Sequence, residues 1–304
     1  MKILVIGAGA LGAYFGGRWH ESGHEVTFLV RERRAKQLQQ HGIEIHSPHG
    51  NYKIEEPSII RNANEAEGID LVFLSVKGYH LPGTIDSLKT LVDKGAKVLP
   101  VLNGVEHISV LQKELGEEAV VGGLSFIIAT LDENGHVIHS SQIHDLIFGA
   151  LHQSQHEVVD ELGIACEQSK FDGKLSNSIL QEIWKKYMFI TAFSGITTAV
   201  NLPIGEIRQH PETFHIARKI LEDMQQLANS HGLELTDEHV DKAFESMENL
   251  GEEATSSMHQ DRRKGLTLEV EHLHGGALRL GETVGLKLPY IEAIYGIIKP
   301  FENA

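Results

Sequence analysis

Gly7-Ala8-Gly9-Ala10-Leu11-Gly12 is the first stretch with the makings of a binding site, and it follows directly on the run Lys2-Ile3-Leu4-Val5-Ile6. A GxGxxG on a strand-to-helix turn suits the pyrophosphate of a dinucleotide. Gly7 makes the tight turn, Gly9 lets the backbone approach the phosphates, and Gly12 lets the helix pack closely on the strand. The helix that starts here adds amide donors, from the stretch Ala8, Ala10 and Leu11, and the positive end of its dipole. Placed between a strand and a helix, the motif reads as a cofactor site rather than as an unliganded turn.

Other polar residues stand immediately after apolar runs, where doubly wound sheets bind their ligands. After Phe28-Leu29-Val30, where an NAD site usually has Asp or Glu for the ribose hydroxyls, comes Arg31. A guanidinium there can grip the 2′-phosphate of NADPH, a charge-assisted contact worth about 1.5–3 kcal/mol. Arg33 and Arg34 read instead as cations at a solvated helix start, partly neutralised by Glu32. Lys77 follows Leu71 to Val76, and Asn103-Gly104 follows Val98 to Leu102. Lys77 could meet cofactor or substrate charge, or be a solvated loop residue. Asn103 could bond the nicotinamide or a substrate carbonyl, or form a simple turn with Gly104.

His20-Glu21-Ser22-Gly23-His24 matches the zinc signature HExxH, which works only if both histidines line one helix face. Gly23 is a natural helix stop, so His24 should leave the helical path. None of the 19 histidines offers another convincing ligand set by spacing; His272 and His274, two apart on a helix, diverge. No metal is expected.

Elements must position these residues. Short β-branched runs alternate with helical patterns at Ile3 to Ile6, Val26 to Val30, Leu71 to Val76, Val98 to Leu102 and Val120 to Ile128. Strands hydrophobic throughout indicate a parallel sheet covered on both faces, hence an α/β, Rossmann-type doubly wound sheet. Ile43 to His46 and Tyr52 to Ile54 look like a small antiparallel excursion, and Gly135 separates another strand pair ending near Phe148. From about Ser176 the pattern becomes helical: a long helix capped by Ser176 or Asn177 and running through Val200, then helices near Thr213–His231, Asp237–Leu250, Leu266–Val284 and Tyr290–Ile298. Two domains are expected, residues 1–172 for the dinucleotide and 173–304 as an all-helical substrate and catalytic domain.

Composition narrows the class. With 41% hydrophobic and 23% charged residues in 304, the chain can fill a core, and its net charge of -15 disfavours general attraction to nucleic acid or anionic membranes. Cys166 is the sole cysteine, so no intramolecular disulfide can form; it reads as a buried small hydrophobe. No export signal or bilayer-spanning run is recognised, and a cytoplasmic protein is expected.

Taken together, the chain resembles the ketopantoate reductase family over nearly its whole length. The resemblance rests on GxGxxG with Arg31, Lys77, Asn103-Gly104, Trp184-Lys185-Lys186, Pro203-Ile204-Gly205-Glu206, and Ser256-Ser257-Met258-His259-Gln260-Asp261 followed by Glu269. It implies NADPH-dependent reduction of a 2-oxo acid, ketopantoate to pantoate for pantothenate and coenzyme A synthesis. Lys186 would be the proton donor, Glu269 a cofactor contact near the active site, Asn103 an orienting group and Ser257 a carboxylate ligand. A helical second domain of this kind can present a dimer face, so a homodimer is among the expected partners. Where the family commonly has asparagines one and two turns after the catalytic lysine, this chain has Ile190 and Ser194, and two more substrate-side asparagines are replaced by Ile204 and Ala254. That leaves open a different, more apolar 2-oxo acid as substrate. It also leaves open a non-catalytic NADPH-binding regulatory protein.

Overall fold

The computed structural model describes residues 1–303. Its strands are β1 (Lys2–Ile6), β2 (Glu25–Leu29), β3 (Ile43–His46), β4 (Tyr52–Ile54), β5 (Ser58–Ile60), β6 (Leu71–Leu74), β7 (Lys97–Pro100), β8 (Gly122–Leu131), β9 (Val137–Gly149) and β10 (Asp172–Leu175). Helices α1 (Ala10–Glu21), α2 (Glu32–His41), α3 (Ile85–Asp93), α4 (Glu106–Leu115) and α5 (His156–Glu167) are interspersed with them. Then come α6 (Ile179–Val200), α7 (Ile204–Arg208), α8 (Pro211–Ser230), α9 (Asp237–Glu248), α10 (Ser257–Arg263), α11 (Gly276–Thr283) and α12 (Pro289–Ile298).

The chain forms two compact units, Met1–Leu102 with His107–Leu180, and Asn103–Glu106 with Gln181 onward. In the first, a parallel sheet has the order β5-β2-β1-β6-β7. The order reverses between β1 and β6, so their carboxyl ends form the topological switch point where such sheets take ligands. Strand alternation explains why these runs are apolar throughout. Ile3, Val5, Leu71 and Phe73 enter one core with Phe15, Trp19 and Phe28, while Leu4, Ile6, Val72 and Leu74 enter a second with Leu88, Leu111 and Val98.

A second sheet, β10-β9-β3-β4 with β8 paired to β9, completes this unit. The antiparallel excursion expected at 43–54 is β3 and β4, but β3 also pairs in parallel with β9, Ile45 opposite Val137 and His46 opposite Ile138. Local patterning does not announce β5 or β10: the latter, Asp-Gly-Lys-Leu, is exposed at every residue and is held by pairing with β9. β10 lies in the first unit, whose second segment runs to Leu180.

The second unit is helical among its described residues. Ser176 Oγ accepts from the Ser178 amide just before α6, and the helix ends at Asn201, whose φ of 58° is left-handed. One expected helix is altered. Residues 266–269 are not helical, the helix begins at Val270, and Glu271–Gly275 forms a π turn before α11. No described helix is long and apolar enough to cross a membrane.

Candidate active site

In the first unit, the turn between β1 and α1 divides its labour among three glycines. Gly7 has φ 98°, and a Cβ there would lie 2.8 Å from the Ser75 carbonyl group. A Cβ on Gly12 would fall 2.2 Å from Gly7 O and 2.4 Å from Ser75 Oγ, and that hydroxyl donates to Gly7 O at 2.9 Å. These two positions are glycine because the chain itself fills the space. Gly9 differs: a Cβ there would meet nothing within 4 Å, although the residue ends the turn and its carbonyl takes the Ala13 amide at 2.9 Å. An open approach over Gly9 and the first-turn amides of Ala10 and Leu11 is the space a pyrophosphate needs.

Arg31 is exposed at the N-cap of α2, and its Nη2 lies 3.6 Å from where a Cβ on Gly83 would sit. Its guanidinium thus reaches from the end of β2 to Gly83, in the segment after β6. Lys77 is half-buried and caps the short 3-10 helix Gly78–Thr84, accepting the His80 amide through its carbonyl at 2.8 Å. Arg34 corrects the sequence reading. It is not merely a cation at a solvated helix start: Nε donates to Ala8 O at 2.9 Å, Nη2 to Gly135 O at 3.1 Å and Nη1 to Gln37 at 2.5 Å. Burial lowers its guanidinium to about 10 against the opposing charge of Asp132. Its carbonyl partners lie 26 and 101 positions away, which no local pattern reports.

In the second unit, Lys186 sits on α6 between buried Trp184 and Tyr187. Burial lowers its ammonium to about 8, and the carboxylate of Glu269 opposes the shift. Lys185, beside it in sequence, takes a different course and pairs with Glu182 at 3.1 Å. Glu269 is buried, at 4% exposure, and its carbonyl accepts the amide of Leu273, within the π turn, at 2.9 Å.

That turn is tied to α6 at two levels. Tyr187 Oη donates to Leu273 O at 2.5 Å, and His274 Nε2 donates to Thr191 O at 3.0 Å. Burial lowers His274 to about 4, so it is a neutral donor. Gly195 makes room for it, since a Cβ there would come within 2.7 Å of His274 Nε2. π turns inside helices often mark functional segments, and this one begins two residues after Glu269.

Asn103 and Gly104 belong to this second unit. Gly104, at φ 88°, would place a Cβ 3.6 Å from His272 Nε2. Nearby Glu106 receives Arg279 at 2.8 and 2.7 Å, and Arg279 also bonds Glu271. Bonds from Lys299, Tyr295 and Arg279 hold the Glu271 carboxyl at about 2 despite partial burial. This ion network fastens the Asn103–Glu106 segment to the π turn, so Asn103-Gly104 is more than a surface turn.

Ile190 and Ser194 lie four and eight positions beyond Lys186 on α6, on the same helix face, half-buried and buried respectively. Ser257 is exposed as the first residue of α10, while the cap is Ser256, whose Oγ accepts the His259 amide at 3.1 Å and pairs with Thr197 Oγ1 at 3.0 Å. Ile204 is fully buried, and its amide donates to Ala254 O at 3.0 Å. The HExxH pair separates: α1 ends at Glu21, Gly23 has φ 88°, and His20 bonds Tyr52 at 2.9 Å.

Comparison with known proteins adds a family to this geometry. Residues 3–153 match the model for "Ketopantoate reductase PanE/ApbA" and residues 178–302 that for its C-terminal region. An uncharacterised oxidoreductase of Bacillus subtilis, YkpB, is 34% identical over 99% of each chain. The crystal structure of 2-dehydropantoate 2-reductase from Geobacter metallireducens superposes with TM-score 0.91 at 26% identity, covering 99% of each chain. A ternary structure of D-mandelate dehydrogenase with NADH and anilino(oxo)acetate, 23% identical, shares the fold at TM-score 0.89 over 99% of this chain and 98% of that one. With both halves matched in order, the chain belongs to the ketopantoate reductase family of NAD(P)-dependent 2-oxo acid reductases.

Proposed function

We propose that this protein reduces a 2-oxo acid to the 2-hydroxy acid with NADPH, and that 2-dehydropantoate is the first substrate to test. The observation that carries the reading is Lys186: an ammonium lowered to about 8 by burial and kept cationic by buried Glu269. A donor so poised is mostly charged at neutral pH and gives up its proton more readily than a free lysine.

When bound, NADPH supplies the hydride for the carbonyl carbon. The glycine turn would hold the pyrophosphate over Gly9, Arg31 would meet the 2′-phosphate, and Lys77 would stand beside the cofactor. Lys186 would bond the ketone oxygen, stabilise its developing negative charge and then protonate it, so that one hydride and one proton complete the alcohol. Asn103 would orient the reactants, and Ser257 would bind the carboxylate. The cytoplasm is the setting we propose, and a helical second domain of this kind can present a homodimer face.

A second reading keeps the same chemistry and changes the substrate. Ile190 and Ser194 follow Lys186 on one helix face and offer fewer amide donors than asparagines would, which favours a more apolar 2-oxo acid. A panel of branched 2-oxo acids, 2-dehydropantoate included, followed by NADPH absorbance, separates the readings. Preference for 2-dehydropantoate supports the first, and preference for a more apolar acid supports the second. Tight NADPH binding without oxidation by any of them would replace both with a non-catalytic NADPH-binding protein.

A further inference from the structure

Three side chains that are unremarkable in sequence meet on the second sheet of the first unit. Glu44 and His46 are two apart on β3 and so project from the same face. β9 pairs with β3 in parallel, with Ile45 opposite Val137, so His136, the residue just before β9, stands beside Glu44. The fold thereby brings one carboxylate oxygen and two imidazole nitrogens within 4.8 Å of one another. His46 Nε2 is 3.0 Å from Glu44 Oε1.

From this arrangement we infer a binding site for a single divalent transition-metal ion of the zinc type, with Glu44, His46 and His136 as ligands. Two imidazoles and one carboxylate suit a borderline-soft ion, whereas Mg²⁺ and Ca²⁺ select sites made of oxygen. Tetrahedral zinc needs its ligand atoms about 3.4 Å apart, which falls between the 3.0 Å His46–Glu44 separation and the 4.8 Å bound on the whole group.

A second feature points the same way. His136 Nδ1 lies 3.2 Å from Asp132 Oδ2, leaving Nε2 as the metal-facing nitrogen. Asp132 is itself fixed, since its Oδ1 accepts the His136 amide at 2.8 Å and its carbonyl accepts the Gly135 amide at 3.0 Å. A carboxylate that orients the far nitrogen of an imidazole is the usual outer support of a histidine ligand. All four side chains are partly exposed, at 16–42%, so an ion can enter from solvent. The ion would clip β3 to the β8–β9 turn. That turn's Gly135 carbonyl also receives Arg34, the side chain that holds Ala8 of the cofactor loop.

Isothermal titration of the full chain with ZnCl₂ and, separately, MgCl₂ tests the site. One equivalent of Zn²⁺ is expected, with Mg²⁺ binding at least tenfold weaker and the Zn²⁺ affinity falling at least tenfold in the double variant His46→Ala/His136→Ala. Glu44→Gln, an almost isosteric change, should weaken Zn²⁺ in the same direction. Asp132→Asn should weaken it roughly 10- to 100-fold. Circular dichroism checks that each variant is folded, and Zn²⁺ should raise the Tm of the native chain but not of the double variant. Absence of stoichiometric Zn²⁺ binding, equal Mg²⁺ affinity, or undiminished affinity in the double variant would overturn the site. The last result would assign the ion to other histidines. Undiminished affinity in Asp132→Asn would overturn the orienting role of that carboxylate.

Discussion

The glycine turn and the lysine helix build function in opposite ways. At the turn, six consecutive residues carry the geometry: Gly12 is pressed against Gly7 O and Ser75, while Gly9 faces open space. On α6, burial lowers the Lys186 ammonium, and the opposing charge comes from Glu269, 83 positions on, near a π turn that Tyr187 and His274 tie to the helix. A phosphate cradle made of backbone can be encoded by spacing. A tuned side-chain acid must be assembled from distant chain.

The comparison breaks first at Lys186. Lys186→Ala should lower kcat by about 10²–10⁴, with NADPH affinity measured by fluorescence titration nearly unchanged. Unaltered turnover would remove Lys186 from the chemistry and leave the turn as the only functional region supported. At the other pole, Arg31→Ala should weaken NADPH by about 10- to 150-fold, the equivalent of 1.5–3 kcal/mol, and NADH far less. Equal losses for both cofactors would deny Arg31 the 2′-phosphate.

Within the turn, two alanine substitutions sharpen the contrast between chain-filled and open glycines. Gly12→Ala should cost about 1–3 kcal/mol of stability, read as a lower Tm, because the added methyl meets backbone. Gly9→Ala should leave the Tm nearly unchanged yet weaken NADPH, since its methyl enters open space. Similar behaviour of the two variants would mean that Gly9 is structural as well.

The smallest expected effect is in the pH profile. Lys186 donates as an ammonium, so reduction should hold up to about pH 8 and then fall by up to tenfold per unit as the group loses its proton. Glu269→Gln removes the charge that opposes the shift and should move this limb to lower pH. A limb unmoved by that change would detach Glu269 from the tuning of Lys186.

Arg34 shows where sequence reading fails. Its helix-start position and neighbouring Glu32 make a solvated cation the natural interpretation, yet it joins the carbonyls of Ala8 and Gly135. Glu44, His46 and His136 are a parallel case, because β3–β9 register, not spacing, gathers them.

The parallel sheet, the glycine turn, the helical second half and the family resemblance are legible in the residues alone. Each rests on period, spacing or residue type within a few tens of positions, and strands buried on both faces must be apolar throughout. The second sheet, the place of Asn103 with the helical unit, the depressed ammonium of Lys186 and the assembly of Glu44, His46 and His136 emerge only in the folded chain. Burial, strand register and charge proximity arise between residues distant in the chain, and no local pattern records them.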